Sequence, residues 1–454
     1  MYLEQPPGFE EEGKEDWVMK LFKSIYGMKQ ASRVWNQTFN RAVESWNFTR
    51  LPCEWCVYYR NSPTGTTIFV LHVDDIICAS SSVDETNKFR EELKSTWDIS
   101  NLGPVKHALG IAISHDLPLR TIHLSQTALI DCVVEQFGQK DAHPTDTPMV
   151  QGLRIDRPDK STHVPDKSVP YQELIGSLMY IANATRPDIA FCVGHLASVM
   201  DCYTSDHWKA AVHVLCYLKG TQSLSLKLGG TNTLSLVGYS DSDYANCTVS
   251  SKSIGGYCFG LGNGIVSWCS RKQKTVADSS CYAEYIALSD AAREAIFLRM
   301  LLEGIGFLNR EPSRIFCDND AAVSLAQDQV WHSKCKHIRV KYHYIRDQVG
   351  QNQLCVDWVR TAGNLADIFT KSLSRPDFLR HRSNLGLTGA AVEEESSHVV
   401  NLHISSHSSS NSPNSSHVNI SSHNLNCSSH VDIPSCLFRR HDNDCCRYGY
   451  REEY

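Results

Sequence analysis

The stretch Leu234-Ser-Leu-Val-Gly-Tyr-Ser-Asp241 predicts a β-strand that ends in a carboxylate. Two more strands follow, joined across a Gly-Asn-Gly turn, and then a long helix. The later segments alternate between strand and helix patterns. The predicted elements after the first strand are Gly255–Gly260, Gly264–Trp268, helix Ala283–Leu302, strand Arg314–Cys317, helices Ala321–Ala326 and Lys336–Val349, strand Gln353–Val359 and helix Leu365–Leu373. This order predicts an α/β layer fold of about domain size.

Four acidic residues lie at the ends of these strands and the starts of these helices: Asp241, Glu284, Asp318 and Asp367. Taken singly, each is more often an ordinary turn or capping residue than a catalytic one. All four in this element order are harder to explain as caps, because a fold can gather them at one edge of a sheet. Gathered carboxylates are what two divalent cations need to hold and cleave a phosphodiester.

Length and composition restrict the protein class. At 454 residues and 42% hydrophobic composition, the chain is long enough to bury two or more domains. It has no apolar run that could span a bilayer and no secretion signal at its start, which predicts an intracellular protein, cytoplasmic or also nuclear. Most of the 18 cysteines lie singly in apolar segments, as reduced buried thiols do. A net charge of −6 argues mildly against a nucleic-acid partner, so local basic clusters would have to make such contacts.

The first part of the chain mixes strands and helices, and one predicted hairpin carries paired acids. The strongly apolar strand Thr67–Val73 leads into Asp74-Asp75, and a second strand leaves through Ile76–Ala79. Because Asp is common in turns, this pair alone is a weak sign of catalysis. Helices with an apolar face are predicted between Tyr171 and Lys219, and the Ser-, His- and Asn-rich composition after about Leu387 predicts disorder.

A series of motifs in the second half resembles one family. The motifs are Gly238-Tyr-Ser-Asp-Ser-Asp-Tyr-Ala245, Val266-Ser-Trp-Cys-Ser-Arg-Lys-Gln-Lys-Thr-Val276, Ser279-Ser-Cys-Tyr-Ala-Glu-Tyr-Ile-Ala-Leu288, Cys317-Asp-Asn319, Lys336-His-Ile-Arg-Val-Lys-Tyr-His-Tyr-Ile-Arg346 and Ala366-Asp-Ile-Phe-Thr-Lys371. Together they resemble the ribonuclease H domain of copia-like long-terminal-repeat retrotransposons. The resemblance implies that Asp241, Glu284, Asp318 and Asp367 coordinate two Mg²⁺ ions, with Mn²⁺ as an alternative, and hydrolyse the RNA strand of an RNA:DNA hybrid. The sequence departs from the family at Tyr282, where Glu is usual.

Basic residues near these acids are candidates for binding nucleic acid. Cations three and four residues apart on a helix share a face and can meet phosphates, although an ordinary solvated helix surface explains them equally well. The choice of strand would come from the 2′-hydroxyl and the shape of the hybrid. The candidates in this region are Arg271, Lys272, Lys274, Lys336, Arg339 and Lys341.

The first half resembles the reverse transcriptase of the same elements. The motifs include Lys23-Ser-Ile-Tyr-Gly-Met-Lys-Gln-Ala-Ser-Arg-Val-Trp35, Phe69-Val-Leu-His-Val-Asp-Asp-Ile-Ile77 and Ile175-Gly-Ser-Leu-Met-Tyr-Ile-Ala-Asn-Ala-Thr-Arg-Pro-Asp-Ile-Ala190. The resemblance implies that Asp74 and Asp75 are the paired metal-binding acids of a polymerase and that Lys29 and Gln30 face template-primer and nucleotide. Polymerisation needs a third carboxylate, which the family carries on a strand before the stretch that begins this chain. We therefore expect no competent polymerase from this chain alone.

These interpretations give an α/β (α+β) fold class with several parts. We predict a partial reverse transcriptase at 1–150, with the end of the fingers, the palm and the start of the thumb, and a helical thumb or connection region at 151–231. We further predict a ribonuclease H-like mixed five-stranded sheet with flanking helices at 232–386 and a disordered tail at 387–454. The leading hypothesis is a fragment of a copia-like polyprotein with an inactive polymerase and a ribonuclease H that cleaves hybrids. It would bind template-primer and hybrid nucleic acid, and other retrotransposon polyprotein products are candidate partners. The alternative is a non-catalytic, nucleic-acid-binding remnant of a decayed element.

Overall fold

The computed structural model describes residues 2–14, 16–25, 27–153, 155–158, 165, 167–231, 234–246, 250–307, 311–327, 339–389 and 399–404, without the side chains of 339–343. These residues form two compact units. The first contains the described residues up to Val105, those from Met300 to Phe307, and 399–404, and the second contains the others from Lys106 onward. Within the described residues, no helix is long and apolar enough to cross a membrane. The predicted domain boundaries at 150, 231 and 386 stay predictions, since the compact units divide the chain elsewhere, at Val105–Lys106.

The first unit is built on an antiparallel sheet with an aromatic core. Its elements up to Pro104 are β1 Tyr2–Glu4, β2 Val18–Lys20, α1 Ala31–Ser45, β3 Thr49–Arg50, β4 Val57–Ser62, β5 Gly65–His72, β6 Asp75–Ser80, α2 Val83–Lys94 and β7 Ile99–Pro104. Strands β3 to β6 pair in sequence order. Phe39 of α1, Phe69 of β5 and Phe89 of α2 are fully buried and lie in one cluster. The predicted hairpin is present, with His72 opposite Asp75.

The middle of the chain combines a small sheet with a helical bundle. Its elements are β8 His107–Ala108, β9 Ile111–Asp116, β10 Thr121–Ser125, α3 Thr127–Gln136, α4 Tyr171–Ala184, a 3-10 turn Pro187–Ile189, α5 Ala190–Ala197, α6 Ser205–Gly220 and β11 Leu224–Gly229. Helices α4 to α6 confirm the helices predicted between Tyr171 and Lys219. Proline disfavours helix at the residue before it, and α4 accordingly ends before Arg186-Pro187.

The last part of the second unit carries the predicted mixed sheet. The elements are β12 Leu236–Asp243, β13 Ile254–Leu261, β14 Gly264–Lys272, α7 Ser280–Gly304, β15 Ser313–Cys317, α8 Asp320–Gln327, α9 Arg339–Gly350, β16 Leu354–Trp358, a 3-10 helix Leu365–Phe369, α10 Arg375–Asn384 and β17 Leu387–Gly389. The last residues of α7, from Met300, belong to the first unit. The sheet order is β14-β13-β12-β15-β16. The first three strands are antiparallel, and β15 and β16 run parallel to β12. The α/β (α+β) fold class, with this mixed five-stranded sheet, is confirmed.

The helix predicted at Leu365–Leu373 is wrong. Within that range the structure has only the short 3-10 helix, which ends at Phe369, and α10 begins after it, at Arg375. The break falls at Ser374, whose hydroxyl accepts a hydrogen bond from the backbone N–H of Asp377 at 3.4 Å and so begins a new helix, with a proline in its first turn.

The predicted disordered tail needs a correction at two short segments. Strand β17 pairs with β11, and a further strand, β18 Val399–Ile404, pairs with both β6 and β7. The physical reason is local: Val400, Leu402 and Ile404 alternate with more exposed residues and bury their side chains in the core of the first unit. The remainder of the predicted tail, 390–398 and 405–454, lies outside the described residues.

Candidate active site

Four carboxylates converge on one end of the parallel pair β12 and β15. Asp241 lies on β12 and Asp318 directly follows β15. The two strands are in register at Ser240 and Cys317, so the next residue on each is one of these acids. Glu284 comes from α7 and Asp367 from the 3-10 helix. The sheet and the two flanking elements thus bring together the four acids that the sequence singled out.

The carboxylates form two overlapping groups. The ligand atoms of Asp241, Asp318 and Asp367 lie within 4.8 Å of one another, and so do those of Glu284, Asp318 and Cys317. Asp318 belongs to both groups and is half-buried, whereas Asp241, Glu284 and Asp367 are 3%, 6% and 5% exposed. Two neighbouring cation positions that share Asp318 fit this arrangement.

Burial and mutual repulsion raise the pKa values of the buried acids. Burial, followed by the charges of Asp241 and Asp318, raises the pKa of Glu284 to about 10. Burial and the charge of Asp241 raise the pKa of Asp367 to about 7. Burial also raises the pKa of Asp241. Such shifts mean that the cluster is short of positive charge, which bound cations would supply.

One lysine, which the sequence analysis did not assign to the site, lies beside these acids. The Nζ atom of Lys371 is 3.1 Å from Asp367 Oδ1 and 3.9 Å from Asp241 Oδ2. Burial alone would lower the pKa of Lys371, but Asp241 and Asp367 outweigh it and the pKa is raised. The signal that could have found it is its spacing, four residues after Asp367 in the segment that the sequence predicts as a helix.

Two polar residues hold the turn that carries Asp367 against β12. The side chain of Asn364 accepts a hydrogen bond from the N–H of Ala366 at 3.1 Å and donates one to the Ser240 carbonyl at 3.0 Å. The hydroxyl of Thr370 donates to Asp241. Asn364 and Thr370 are fully buried. Asp367 is therefore fixed relative to Asp241 before any ligand binds.

A glycine lets that turn approach the sheet. Gly256 on β13 is the register partner of Asp241. A Cβ atom at Gly256 would lie 2.6 Å from the Cβ of Phe369 and 3.0 Å from Thr370 Cγ2. Only glycine fits at this distance, because real Cβ contacts are longer.

Helix α7 is positioned by its cap and by a buried glutamine. The Ser279 hydroxyl accepts from the N–H of Tyr282 at 3.3 Å, which places Glu284 at the fifth helical residue. Gln273 donates from Nε2 to the Ala283 carbonyl at 2.8 Å and to the Ser242 hydroxyl at 3.1 Å. Gln273 thereby ties the start of α7 to β12.

The paired acids of the first unit have a different setting. Asp74 lies in the two-residue turn between β5 and β6, and Asp75 is the first residue of β6. The Asp75 side chain is half exposed, and its Oδ1 lies 2.9 Å from Nδ1 of His403 on β18. Among the described residues, the groups of three or more acids, histidines and cysteines that could hold a metal do not include Asp74 or Asp75.

Comparison with known proteins assigns the chain to a family. A family model described as reverse transcriptase (RNA-dependent DNA polymerase) matches residues 1–151. The retrovirus-related Pol polyprotein from transposon TNT 1-94 of Nicotiana tabacum is 37% identical over 383 residues, which cover 83% of this chain and 29% of that protein. A putative transposon Ty5-1 protein of Saccharomyces cerevisiae is 32% identical over 298 residues, covering 65% of this chain and 95% of that protein. This chain belongs to the Ty1/copia-type retrotransposon polyproteins.

The chain of this Ty1/copia-type protein spans less than a third of the TNT 1-94 polyprotein, 29% of its length. Among solved structures, LC11-RNase H1 in complex with an RNA/DNA hybrid aligns with 30% of this chain and 93% of that chain, at 16% identity and a TM-score of 0.23. The Ty1/copia-type chain thus carries a reverse transcriptase match over residues 1–151, and the acid cluster lies on the mixed sheet that follows it in sequence.

The acid cluster at the end of β12 and β15 fits hard divalent cations. Its donors are carboxylate oxygens, which Mg²⁺ and Mn²⁺ prefer. Burial raises the pKa of the Cys317 thiol, so Cys317 is protonated and a poor ligand for such ions. Asp241, Glu284, Asp318 and Asp367 are the residues that would hold them.

The basic residues that the sequence predicts to bind nucleic acid lie in different surroundings. The guanidinium of Arg271 forms an ion pair with Asp290 at 3.2 Å, so part of its charge is already matched. Lys272 ends β14, Lys274 is exposed beyond it, and Lys29 is exposed just before Gln30 and α1. Arg339 and Lys341 lie on α9, with side chains outside the described part, and Lys336 lies outside the described residues altogether.

Proposed function

We propose that this chain is a ribonuclease H-type endonuclease that hydrolyses the RNA strand of RNA:DNA hybrids with two Mg²⁺ ions. The observation that carries the proposal is the pair of overlapping acid groups that share Asp318. Two cations held side by side by these groups could act on one phosphodiester, one at the attacking oxygen and the other at the leaving oxygen. Membership of a retrotransposon polyprotein family supports a nucleic-acid substrate.

Each residue of the cluster has a definite task in this proposal. Asp241, Asp318 and Asp367 would hold one ion, and Glu284 with Asp318 would hold the other. Bound there, the ions would lower the pKa of the attacking water and stabilise the leaving 3′ oxygen. The hydrogen bonds of Asn364 and Thr370 fix the acids in advance, so little reorganisation is needed when substrate binds.

Lys371 serves as a resident counter-charge for the acids. Its ammonium group lies between Asp241 and Asp367 and partly offsets their repulsion. Because Lys371 is 36% exposed at the side chain, its ammonium is also free to turn toward an incoming phosphate. The hybrid itself would be selected by its shape and 2′-hydroxyls, with Lys272 and Lys274 as phosphate contacts.

The decisive experiment is cleavage of a hybrid labelled on its RNA strand. We expect Mg²⁺-dependent cleavage by the full chain and none of the matching double-stranded DNA. Asp318→Asn removes the residue common to both acid groups and should reduce cleavage by at least about 100-fold, since even indirect supports of metal ligands cost 10 to 100-fold. Asp320→Asn is the matched control, because Asp320 is exposed, lies two residues away and belongs to neither group.

The alternative is a remnant that binds nucleic acid without cutting it. Hybrid binding with no cleavage at any Mg²⁺ or Mn²⁺ concentration would support that alternative and refute the endonuclease. Cleavage that Asp318→Asn leaves unchanged would show a contaminating nuclease.

We infer further that the chain does not polymerise DNA by itself. Asp74 and Asp75 lie partly buried at a hairpin turn, and Asp75 forms an ion pair with His403. Two-metal polymerisation needs further carboxylate ligands, and the described residues gather none there. A primer-extension assay with purified full chain checks this; templated synthesis that Asp75→Asn abolishes would refute it.

A further inference from the structure

Strand β18 fills the space between two strands that lie far from it in sequence. Val399 to His403 pair antiparallel with Ala79 to Asp75 of β6. On its other side β18 pairs with β7, from Val400 opposite Pro104 to Ile404 opposite Ile99. Among the described strands, β7 has β18 as its only neighbour in the sheet. The sheet of the first unit would therefore end at β6 without this segment.

Buried apolar side chains also hold the segment in the core of the first unit. Val400, Leu402 and Ile404 are 8%, 0% and 3% exposed and belong to the same core cluster as Phe39 and Phe69. The pattern of buried and more exposed residues is strictly alternating. A slip by one residue would turn these three apolar side chains away from the core, so the register is specified.

The segment also closes the turn that carries the paired acids. The N–H of Ile404 donates to the Asp74 carbonyl at 2.8 Å, and the His403 ring contacts Asp75 at 2.9 Å. The position beside Asp75 in the sheet is therefore taken by His403. Another strand could bring a carboxylate to that position only after β18 leaves.

We propose that the space between β6 and β7 is a strand-acceptor site, that its occupant is the segment Val399–Ile404 of the same chain, and that this segment closes the Asp74–Asp75 turn. The site takes an extended peptide that pairs antiparallel with both neighbours and carries apolar side chains at alternate positions. Main-chain hydrogen bonds supply the binding, and the three apolar side chains supply the selectivity. The proposal is independent of the hybrid-cleaving function.

A disulfide trap tests the pairing in the full chain. Val400 is the register partner of the native, buried Cys78, so Val400→Cys places two thiols directly opposite each other. Asn401→Cys is the matched control, since its partner is Ile77 and its side chain lies on the other face. After mild oxidation and peptide mapping, we expect the bond to Cys78 at least about tenfold more often in the first variant, and within single chains.

Two results of the trap would overturn the proposal. Equal cross-linking of both variants, or none in either, would show that β18 does not pair with β6 in this register. A bond found only in covalent dimers would show that the strand comes from a second copy.

Hydrogen exchange tests whether the segment protects its neighbours. Leu402→Asp puts a charge into the core position, and exchange of the β6 and β7 amides should become at least about tenfold faster. Asn401→Ser changes the opposite face and should leave those rates within about twofold. If Leu402→Asp unfolds the whole unit, Leu402→Ala should give a smaller acceleration in the same amides. Unchanged exchange in β6 and β7 in both Leu402 variants would refute the acceptor site.

Discussion

Two sets of acidic residues in this chain differ in sequence spacing and in surroundings. Asp74 and Asp75 are neighbours in sequence and lie, both partly buried, at a hairpin turn. Asp241, Glu284, Asp318 and Asp367 are spread along the sequence and meet at the end of one parallel strand pair. The comparison shows that the fold can gather acids that lie far apart in sequence, while two adjacent acids gather no third ligand among the described residues.

The two sites also differ in what surrounds the acids. The cluster lies mostly buried, with one lysine at its edge and raised pKa values that favour cation binding. At the turn, the half-exposed Asp75 side chain lies beside the His403 imidazole. A buried and incompletely neutralised cluster should bind divalent ions far better than a half-exposed pair.

The largest expected difference is in metal binding. Titration with Mn²⁺ followed by electron paramagnetic resonance should show tight binding that Asp318→Asn weakens by at least about 100-fold, because Asp318 belongs to both acid groups. Asp75→Asn should leave the same binding curve unchanged. If instead Asp75→Asn removes as many bound ions as Asp318→Asn, the contrast between the two sites is false.

The second largest effect is expected from a substitution at Gly256, where a side chain has no room. Gly256→Ala forces a Cβ within 2.6 Å of Phe369, so the turn that carries Asp367 must move away from β12. We expect a loss of about 1–3 kcal/mol in the free energy of unfolding and about 100-fold slower hybrid cleavage. Gly260→Ala on the same strand is the control, since its nearest atoms would be 3.6 Å away. Equal effects of the two variants would mean that the turn does not depend on this close approach.

The acid cluster was largely predictable from sequence, and the reason is physical. Asp241 follows the apolar stretch of β12, Asp318 directly follows β15, and Glu284 follows a serine cap, so strand and cap patterns place them near element ends. Parallel strands end at the same edge of a sheet, which brings the acids together. Their convergence, although not their role, could thus be expected from element order.

Other parts of the site could not be derived in this way. Lys371 and Asn364 act through contacts with residues more than a hundred positions away, or through a turn whose 3-10 geometry has no strong sequence pattern. Strand β18 was missed for a related reason. Its apolar alternation is short and lies in a Ser- and His-rich region, and only the open edges of β6 and β7 give it a place to pair.

Stability of the metal-free protein should fall as pH rises, and Asp367 should account for part of the slope. The folded protein holds a proton on Asp367 up to about pH 7, whereas the unfolded chain releases it near its ordinary pKa of 3.8. The stabilisation is therefore complete below about pH 4 and lost as pH rises through 7. In EDTA, the free energy of unfolding of Asp367→Asn minus that of the wild type should therefore increase by on the order of 1–3 kcal/mol from pH 5 to pH 8. Urea unfolding at both pH values measures this, and a difference that stays constant or reverses would contradict the raised pKa.

The smallest effect is expected at the exposed turn of the first unit. Val73 has a φ of 55°, a left-handed conformation that β-branched residues rarely adopt, and its side chain is 57% exposed. Its carbonyl accepts a hydrogen bond from the Trp35 indole at 3.0 Å, which helps to hold the strained backbone. Val73→Asn keeps that carbonyl and tolerates the conformation, so it should stabilise the hairpin by about 0.5–1 kcal/mol.

The control for this effect is Val70→Asn on β5. Val70 is 41% exposed and lies within the strand, where a β-branched residue is favoured, so the same substitution should destabilise the hairpin. Hydrogen exchange of the β5 and β6 amides measures both changes. If Val73→Asn destabilises the hairpin as Val70→Asn does, the valine makes contacts that outweigh its backbone strain. The turn would then be shaped by packing, as the acid cluster is, and this part of the contrast between the two sites would disappear.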